Sequence, residues 1–516
     1  MQMKSLKEKA WLYPEILGTA LFSILIHLVI MNNLEYHRDE LLYFSLGMHP
    51  AAGYASVPPF TGWIAWLMQS FFGYSVFAVR LYPSLLSGAL ILLVASMARE
   101  LGGSRYASFL SALGLFSSIF FMRTYTLFQP VCSEIFLWTL SVYIILRYIN
   151  TKNGKFLVAF GIIAGVSLLN KYLAGILFIG LLLIIPFTEY RDVFRKKMFW
   201  YGIAAGFLIF LPNLVWQAVK GFPAFNHIGE LYDTQLVHMD YTLFLTEQLL
   251  MPFAATLLTI AGLVYLFTGE KVKKFRFLGF LSLFIIVGLM LLKGKSYYTL
   301  GIFPLLIISG AVAYDNWFRG SWIRVLFPVI LVILTVPVIP IGMPVYKTDG
   351  LIKYFNTLEK KYGLDLGRRF EDGSIHSLPQ DYADMLGWEE MTALAAKAYN
   401  MIGDKESAFI FAENYGEAGA ITVIGKKYGL PEAVSFNESF QYWAPRQFNP
   451  DIKSVIYIND EPGDDVKAIF RKITLIGRIS NPNAREYGIG VYLCEEPAGR
   501  FNDFWKGRMS QLENGR

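Results

Sequence analysis

Long apolar runs recur along the first two thirds of the chain, and they restrict its fold more than any other feature. A helix that crosses the hydrocarbon core of a bilayer needs about 20 mostly apolar residues. Of the 516 residues, 54% are hydrophobic and 17% are charged, whereas charged residues make up about 25% of a typical soluble domain. The sequence therefore predicts a polytopic α-helical membrane protein and excludes a large soluble enzyme. Eleven spans are predicted, at residues 13–33, 76–98, 106–122, 130–149, 155–169, 172–188, 199–217, 244–267, 276–292, 297–314 and 322–344.

Basic residues are distributed unevenly between the loops that join these predicted spans. Alternate loops hold eighteen lysines and arginines, beginning with Lys4, Lys7 and Lys9, and the opposite loops hold six. Because loops rich in lysine and arginine stay in the cytoplasm, the N-terminus is predicted to be cytoplasmic. The loop at 34–75, the loop at 220–241 and everything after residue 345 are then extracytoplasmic.

The composition changes after residue 345, which marks a predicted domain boundary. Residues 1–345 form the predicted membrane domain, whereas residues 346–516 carry frequent charges and no further apolar span. In the second segment the sequence pattern predicts strands at 407–413, 454–460 and 488–495 and helices at 387–403 and 464–474. The alternation of strands and helices indicates a small extracytoplasmic α/β domain.

Two adjacent carboxylates follow the first predicted span, in the stretch EYHRDELLYFSLG at 35–47. Asp39 and Glu40 lie on the predicted outer face, within the long loop. Neighbouring carboxylates are able to divide labour, since one accepts a proton while the other orients it or binds a cation. The same dipeptide is compatible with a solvated loop in which Arg38 pairs with Asp39 or Glu40. The residues alone leave both interpretations open.

Several cations occur at the outer ends of predicted spans, where the rule for basic residues disfavours them. Such a cation either extends to the interface or meets an anion. Lysines beside tyrosine hydroxyls suit a phosphate or pyrophosphate at the level of the lipid headgroups. Alternatively, these lysine and arginine side chains only extend to the membrane–water interface and bind no phosphate. The candidates for binding a lipid phosphate are Lys293, Lys295, Tyr297, Tyr298, Arg123 and Lys171.

The second long outer loop, at 220–241, combines histidines with carboxylates. A site for an acceptor or a divalent metal is one interpretation, and a solvated loop is the other. The sequence contains no zinc pattern, Walker motif or glycine-rich dinucleotide fingerprint, and its net charge of +6 gives no reason to expect nucleic acid. A divalent metal is the one cofactor that the sequence leaves open. The residues concerned are His227, Glu230, Asp233, His238 and Asp240.

The stretch HRDELLYFSLGMHPAAGYASVPPFTGWIAWL at 37–67 resembles the first extracytoplasmic loop of glycosyltransferase family 39. That family includes protein O-mannosyltransferases and lipid A aminoarabinose transferases and has the multi-span C-type fold. Later stretches resemble its bacterial branch in the same order. They are RTYTLFQPVCSEIFLWTL (123–140), LLNKYLAGIL (168–177), LPNLVWQAVKGFPAFNH (211–227), KSYYTLGIFPLL (295–306), LPQDYADMLGWEEM (378–391) and ENYGEAGAI (413–421).

The resemblance implies an enzyme that moves a sugar from a polyprenyl-phosphate donor to a lipid, glycan or protein hydroxyl. The reaction is expected at the outer face of the bacterial cytoplasmic membrane. In this family an aspartate of the first loop is taken as the catalytic base, a role that carries to Asp39 with Glu40 as its partner. A single displacement that inverts the anomeric centre is implied, with cations near the leaving phosphate. Related bacterial sequences often carry an aspartate where this chain has Glu134, and no catalytic role is assigned to that residue.

Two other classes of function compete with the transferase. A transporter or flippase of a lipid-linked or small polar substrate predicts inverted repeats and charges at the bilayer midplane, whereas the charges here cluster at the outer boundary. A receptor or assembly factor would use the outer domain only for binding. Within that domain Tyr442, Trp443 and Arg446 either stack on a sugar or belong to the core.

Overall fold

The chain forms two units that do not follow the order of the sequence. The computed structural model describes residues 10–365, 367–370 and 373–514, so that Lys4, Lys7 and Lys9 lie outside the described residues. The predicted boundary after residue 345 coincides with a change of unit. The first long loop, however, is grouped with the C-terminal segment and not with the predicted membrane domain. The first unit comprises Met1–Ile30, Val57–Phe60 and Arg80–Val345, and the second comprises Met31–Ser56, Thr61–Val79 and Tyr346–Arg516.

In its described part, the chain up to residue 345 consists of helices and the loops that join them. The short helices Arg38–Leu46 and Phe60–Phe72 lie almost entirely in the second unit, and the helix Val76–Glu100 begins there. In chain order the helices are α1 (Pro14–Ile30), α2 (Arg38–Leu46), α3 (Phe60–Phe72), α4 (Val76–Glu100), α5 (Arg105–Phe116), α6 (Ile119–Thr126), α7 (Pro130–Thr151), α8 (Lys155–Asn170), α9 (Ala174–Ile184), α10 (Lys197–Val219), α11 (Pro223–Thr234), α12 (Tyr241–Leu250), α13 (Thr256–Thr268), α14 (Arg276–Leu291), α15 (Phe303–Trp317) and α16 (Ile323–Gly342).

The helices of the first unit match the predicted spans in order. In the described part of the chain, six helical segments are long and apolar enough to cross a membrane, and two bent helix pairs pass the same test together. Three shorter apolar helices correspond to the remaining predicted spans. The chain is therefore a multi-pass helical membrane protein, and the total of eleven crossings stays a prediction.

Two of the predicted continuous spans are broken. Helices α5 and α6 meet at 65°, and α12 meets the segment Phe253–Thr268 at 88°. At the second break Pro252 offers no backbone N–H to continue the ladder, and Phe253 follows with a φ of 42°. The predictions of unbroken spans at 106–122 and 244–267 are corrected accordingly.

Helices α8 and α10 pack unusually closely because glycines face each other across the pair. A Cβ atom at Gly161 would lie 2.0 Å from the carbonyl oxygen of Gly202, and one at Gly206 would lie 2.4 Å from the carbonyl oxygen of Gly161. Both helices carry glycines four residues apart, at 161 and 165 and at 202 and 206. Small residues at this spacing let the backbones of membrane helices approach.

The second unit contains a four-stranded sheet with helices. Its C-terminal elements are α17 (Thr348–Tyr362), α18 (Gln380–Ala383), α19 (Trp388–Met401), β1 (Ala408–Ala412), α20 (Tyr415–Val423), β2 (Ser454–Asn459), α21 (Asp464–Ile469), β3 (Phe470–Arg478), β4 (Gly490–Pro497) and α22 (Phe501–Asn514). The strand order is β1-β2-β4-β3. Strand β1 runs parallel to β2, and the other neighbours are antiparallel. The three predicted strands correspond to β1, β2 and β4. The predicted helix at 464–474 is wrong beyond Ile469, because the following residues pair with β4 as a strand.

The sheet is covered by helices on both faces. Phe409 and Val455 belong to an apolar cluster with Phe501 and Trp505 of α22, whereas Gly477 of β3 lies against Leu394 of α19. A strand that is buried on both faces has a continuous apolar sequence and not an alternating one. This explains the run SVIYIN in β2.

The contact between α8 and α10 generates a stability prediction. We expect Gly161→Ala to lower the apparent melting temperature of the purified chain in detergent, because its Cβ has no room beside Gly202 and overpacking costs about 1–3 kcal/mol. Gly175→Ala is the matched control, since a Cβ at Gly175 on α9 meets nothing within 4 Å. Equal melting temperatures for the two variants would contradict the packing described here.

Candidate functional site

The two neighbouring carboxylates of the first loop lie in the first turn of helix α2, in different environments. His37 caps the helix in a capping box, in which its backbone N–H donates to Oε2 of Glu40 at 2.9 Å. The backbone N–H of Asp39 donates in turn to Nδ1 of His37 at 3.1 Å. Glu40 is fully buried, whereas Asp39 is half-buried. The structure therefore gives Glu40 a local capping role and leaves Asp39 as the more accessible acid.

The chain just before α2 is held by the segment between α18 and α19. The backbone N–H of Glu35 donates to the carbonyl of Met385, and that of Arg38 donates to the carbonyl of Asp384, both at 3.1 Å. The carboxylate of Glu35 accepts hydrogen bonds from the backbone N–H groups of Gly387 at 3.3 Å and Glu389 at 2.9 Å. Hydrogen bonds from two directions thus fix the entry into α2.

Helix α2 also packs directly on α20. A Cβ atom at Gly416 would lie 2.7 Å from Cγ of Arg38, and one at Gly419 would lie 2.8 Å from Cβ of Leu41. Asn414 caps α20, because its side-chain oxygen accepts hydrogen bonds from the first-turn N–H groups. The absence of side chains at Gly416 and Gly419, one turn apart on α20, therefore leaves room for Arg38 and Leu41 of α2.

Asp39 is hydrogen-bonded by a residue far away in sequence. The Tyr415 hydroxyl donates to Oδ1 of Asp39 at 3.0 Å, and the Arg38 guanidinium lies over the Tyr415 ring at 4.4 Å. Burial and the Asp39 carboxylate raise the pKa of Tyr415. Its phenol therefore stays protonated and keeps donating. Arg38 is 4.0 Å from Glu486, so the predicted local pairing of Arg38 with Asp39 or Glu40 gives way to a longer-range arrangement.

Two further acids are buried beside this group. Burial raises the pKa of Asp384 to about 6, although His37 and two arginines oppose the shift. Burial and the neighbouring carboxylate of Glu486 raise the pKa of Glu417 to about 8, against the opposing charge of Arg38. Both carboxyl groups therefore titrate closer to neutral pH than an exposed carboxyl group does.

A second group of candidate residues lies within the first unit. Lys171 donates to Oε2 of the buried Glu134 at 2.9 Å. Its ammonium group also lies over two tyrosine rings, 5.0 Å from the centre of Tyr298 and 5.4 Å from that of Tyr297. The structure therefore brings together three of the predicted phosphate-binding residues and adds Glu134, to which the sequence assigned no role.

The other predicted phosphate-binding residues are Lys293, Lys295 and Arg123. Lys293 donates to the carbonyl of Val237 at 2.9 Å, Lys295 precedes the 3₁₀-helix Ser296–Ile302, and Arg123 is on α6. Their part in phosphate binding stays a prediction.

The loop at 220–241 forms helix α11, which carries His227 and Glu230 one turn apart. Asp240 instead caps α12, accepting from the N–H of Leu243. No group of three or more histidine, cysteine or acidic side chains in the described part of the chain is arranged to hold a metal. The acceptor or metal role of this loop therefore stays a prediction.

The aromatic residues singled out in the C-terminal segment are only partly buried. Trp443 stacks on His49 of the first loop at 4.0 Å between ring centres. His49 is also within 2.8 Å of Glu432. This contact also joins the first loop to the C-terminal segment. Trp443 is therefore neither a fully buried core residue nor a ring that is free to stack on a sugar.

Sequence reasoning missed Tyr415, Asp384, Glu417 and Glu486. The signal that could have found them was present, because ENYGEAGAI and LPQDYADMLGWEEM were noted as family-like stretches. Those stretches supply Tyr415, Glu417 and Asp384. What the sequence did not reveal is that both stretches contact the first loop.

Comparison with known proteins agrees with the fold and with the resemblance. Residues 56–216 match the family model described as dolichyl-phosphate-mannose-protein mannosyltransferase. The resemblance to glycosyltransferase family 39 is confirmed for that part of the chain. The chain is also 25% identical over 204 residues to the lipopolysaccharide core galacturonosyltransferase RgtA of Rhizobium johnstonii, a match that covers 38% of this chain and 39% of the relative.

The predicted C-type glycosyltransferase fold is confirmed by solved structures. ArnT from Cupriavidus metallidurans bound to undecaprenyl phosphate aligns with a TM-score of 0.59 at 12% identity, covering 92% of this chain and 97% of ArnT. The same protein in the apo state gives a TM-score of 0.57 with the same coverage. At this level of identity the two matches show the fold of the chain and not its activity.

The buried acids predict how the second unit responds to pH. The pKa values of Asp384 and Glu417 in the folded protein lie above the pKa of about 4 that these groups have in an unfolded chain. Between about pH 4 and pH 8 the folded state therefore binds more protons than the unfolded chain does. Stability should therefore be highest at the acid end of this window and fall as pH rises. Melting temperatures measured from pH 5 to pH 8.5 check this.

Glu417→Gln provides the test of the cause. Its amide oxygen can still accept from Asn414 but carries no charge, so we expect a flatter dependence of melting temperature on pH. Glu406→Gln removes an exposed acid of the same unit and should leave the slope unchanged. A slope that is identical in the wild type and Glu417→Gln would contradict the role of Glu417.

Proposed function

We propose that the chain is an integral-membrane glycosyltransferase. It moves a sugar from a polyprenyl-phosphate donor to a hydroxyl of a lipid, glycan or protein acceptor. The distribution of basic residues supports a cytoplasmic N-terminus and a reaction on the outer face of the bacterial cytoplasmic membrane. The names of the matched proteins support the substrate class, since they include a mannosyltransferase family that uses dolichyl phosphate and a structure that holds undecaprenyl phosphate.

The observation that carries the proposal is the hydrogen bond from Tyr415 to Asp39. A general base must be held within hydrogen-bond reach of the proton that it removes. Tyr415 holds Asp39 through Oδ1, from a helix that is itself packed on α2. We assign proton transfer from the acceptor to the Asp39 carboxylate.

The reaction is a single displacement. As the acceptor oxygen attacks the anomeric carbon, its proton passes to Asp39 and a new glycosidic bond forms. The bond between the anomeric carbon and the donor phosphate breaks, and polyprenyl phosphate leaves with the electron pair. The anomeric configuration is inverted, and no metal is assigned to any step. Glu40 acts as a positioning residue through the capping box of α2.

The leaving phosphate gains negative charge in the transition state and needs a nearby cation. We assign this role to Lys171, supported by Tyr297 and Tyr298. Lys171 is pre-oriented by Glu134 at 2.9 Å, so little side-chain entropy is lost when an anion binds. Lys293, Lys295 and Arg123 are secondary candidates for the same phosphate.

The role of Asp39 is tested by Asp39→Asn. Loss of a general base lowers the rate by about 10²–10⁴-fold, so cells with this variant should accumulate the same lipid-linked sugar as cells that lack the protein. Mass spectrometry of lipid extracts measures that accumulation and identifies the donor. Equal amounts of variant and wild-type protein in the membrane must be verified first.

The matched control is Asp381→Asn. This acid is exposed and lies 3.8 Å from His37, so the variant removes a nearby charge and leaves Asp39 intact. No donor should accumulate with Asp381→Asn. Normal donor levels in cells that carry Asp39→Asn would disprove the assignment of the base.

The role of Lys171 is tested by binding, with undecaprenyl phosphate as the probe. A hydrogen bond to a charged group contributes about 1.5–3 kcal/mol, so Lys171→Gln should weaken binding by roughly 10- to 100-fold. Lys220→Gln removes an exposed lysine from the same predicted side and should bind as the wild type does. Native mass spectrometry in detergent measures both.

Removing Lys171 alone leaves Glu134 buried without its cation, which threatens folding. The double variant Glu134→Gln/Lys171→Gln avoids that charge. We expect it to melt close to the wild type and still to bind weakly. Wild-type affinity in the double variant would rule out Lys171 as a phosphate ligand.

A further inference from the structure

A cavity of about 610 Å³ lies within the first unit, where α9 ends and α14 begins. Its lining comes from the end of α9, the turn at 188–190, the 3₁₀-helix Glu270–Phe275 and the first turns of α14. The basic residues predict that this end of the bundle is cytoplasmic. The residues proposed for sugar transfer lie on loops predicted on the opposite side, so the cavity requires a separate explanation. Its volume falls within the usual range for ligand sites, about 300–1,000 Å³.

The polar part of the cavity is mainly cationic. Lys273, Lys274 and Arg276 line it, and Glu189 is the one carboxylate among its lining residues. Lys274 already donates to the side-chain oxygen of Asn150 at 2.6 Å, and Arg276 is 4.0 Å from the exposed Glu270. The partial positive charge at the N-terminus of α14 adds to the field of these side chains.

Arg276 carries a buried donor that needs an acceptor. Its Nε atom is shielded from solvent and has no hydrogen-bond partner among the described residues. Buried polar atoms are nearly always hydrogen-bonded, and charged donors are costly to leave unsatisfied. An anion in the cavity would supply the acceptor.

The remaining wall of the cavity is apolar and faces outward. Phe187 is 91% exposed, Phe280 is 56% exposed and Leu183 is 54% exposed. In a membrane protein such side chains contact acyl chains. A small anion would satisfy the cations and leave this wall unused, whereas a lipid with an anionic headgroup matches both halves of the lining.

We propose that this cavity is a binding site for an anionic phospholipid of the surrounding bilayer. The phosphate is bound by Lys273, Lys274 and Arg276, and an acyl chain lies along Phe187 and Phe280. Basic pockets between membrane helices on the cytoplasmic side are a recurrent form of headgroup recognition. Glu189 weakens the site by repelling the headgroup.

The test uses phosphatidylglycerol as the probe and the full-length chain in a neutral detergent. Native mass spectrometry measures the affinity. For the variant Lys273→Gln/Lys274→Gln/Arg276→Gln we expect a loss on the order of a hundredfold, since each basic residue near a lipid surface contributes about fivefold. Glu189→Gln should bind more tightly than the wild type. The variant Phe187→Ser keeps every charge of the cavity and should still weaken lipid binding.

The matched control is Arg195→Gln/Lys196→Gln/Lys197→Gln. It removes three exposed positive charges that lie beyond the cavity lining, between the turn at 188–190 and the start of α10, and it should leave affinity unchanged. Equal losses in the two triple variants would show diffuse charge attraction and overturn the site. Displacement of the lipid by millimolar inorganic phosphate, with Phe187→Ser binding normally, would show a free-anion site instead. Unchanged binding in the cavity variant, at an unchanged melting temperature, would also disprove the proposal.

Discussion

The packing of α2 on α20 is the contact on which the candidate base depends. A nine-residue helix in a loop is too short to be stable alone in water. Here α2 is stabilised by its own capping box, by backbone hydrogen bonds to the segment before α19, and by the space that Gly416 and Gly419 leave for Arg38 and Leu41. The position of Asp39 is therefore set by a part of the chain 376 residues away in sequence.

The C-terminal segment therefore helps to hold the candidate base in position. A domain that only covered a site would have no reason to donate a hydrogen bond to the candidate base. Tyr415 does so, and the same residue accepts the Arg38 guanidinium on its ring. The first loop and the C-terminal segment form one unit, so variation in the sheet domain can alter the geometry of Asp39 without touching the loop itself.

Much of the fold was predictable because its signals are local. The apolar runs identified the apolar helices of the first unit, and three strands were predicted from their sequence. Helix α11 was missed, because its polar sequence predicts a loop. Prediction failed where long-range contacts decided the outcome. Residues 470–474 are compatible with a helix by pattern, but they pair with β4. The break at Pro252 has a local cause, and the high average hydropathy of the span concealed it.

The candidate site shows the same limit. Asp39 was predicted from its motif, and Lys171, Tyr297 and Tyr298 from their positions at span ends. The resemblance assigned the base to Asp39 and a partner role to Glu40, but only the structure shows that Glu40 belongs to the capping box of α2. Tyr415 and Glu134 lie in stretches that resemble the family. Their contacts with Asp39 and Lys171 depend on tertiary packing, which a local sequence pattern does not show.

The pair formed by Glu134 and Lys171 is informative because it is a poor way to stabilise a protein. Taking a charge out of water costs several kcal/mol, and apolar residues of similar size are often equally stable or more so. Here the buried carboxylate of Glu134 holds the partly exposed Lys171 beside two tyrosine rings, which keeps a cation oriented. That arrangement is suited to an anion that arrives and departs, which is the property that a phosphate leaving group requires.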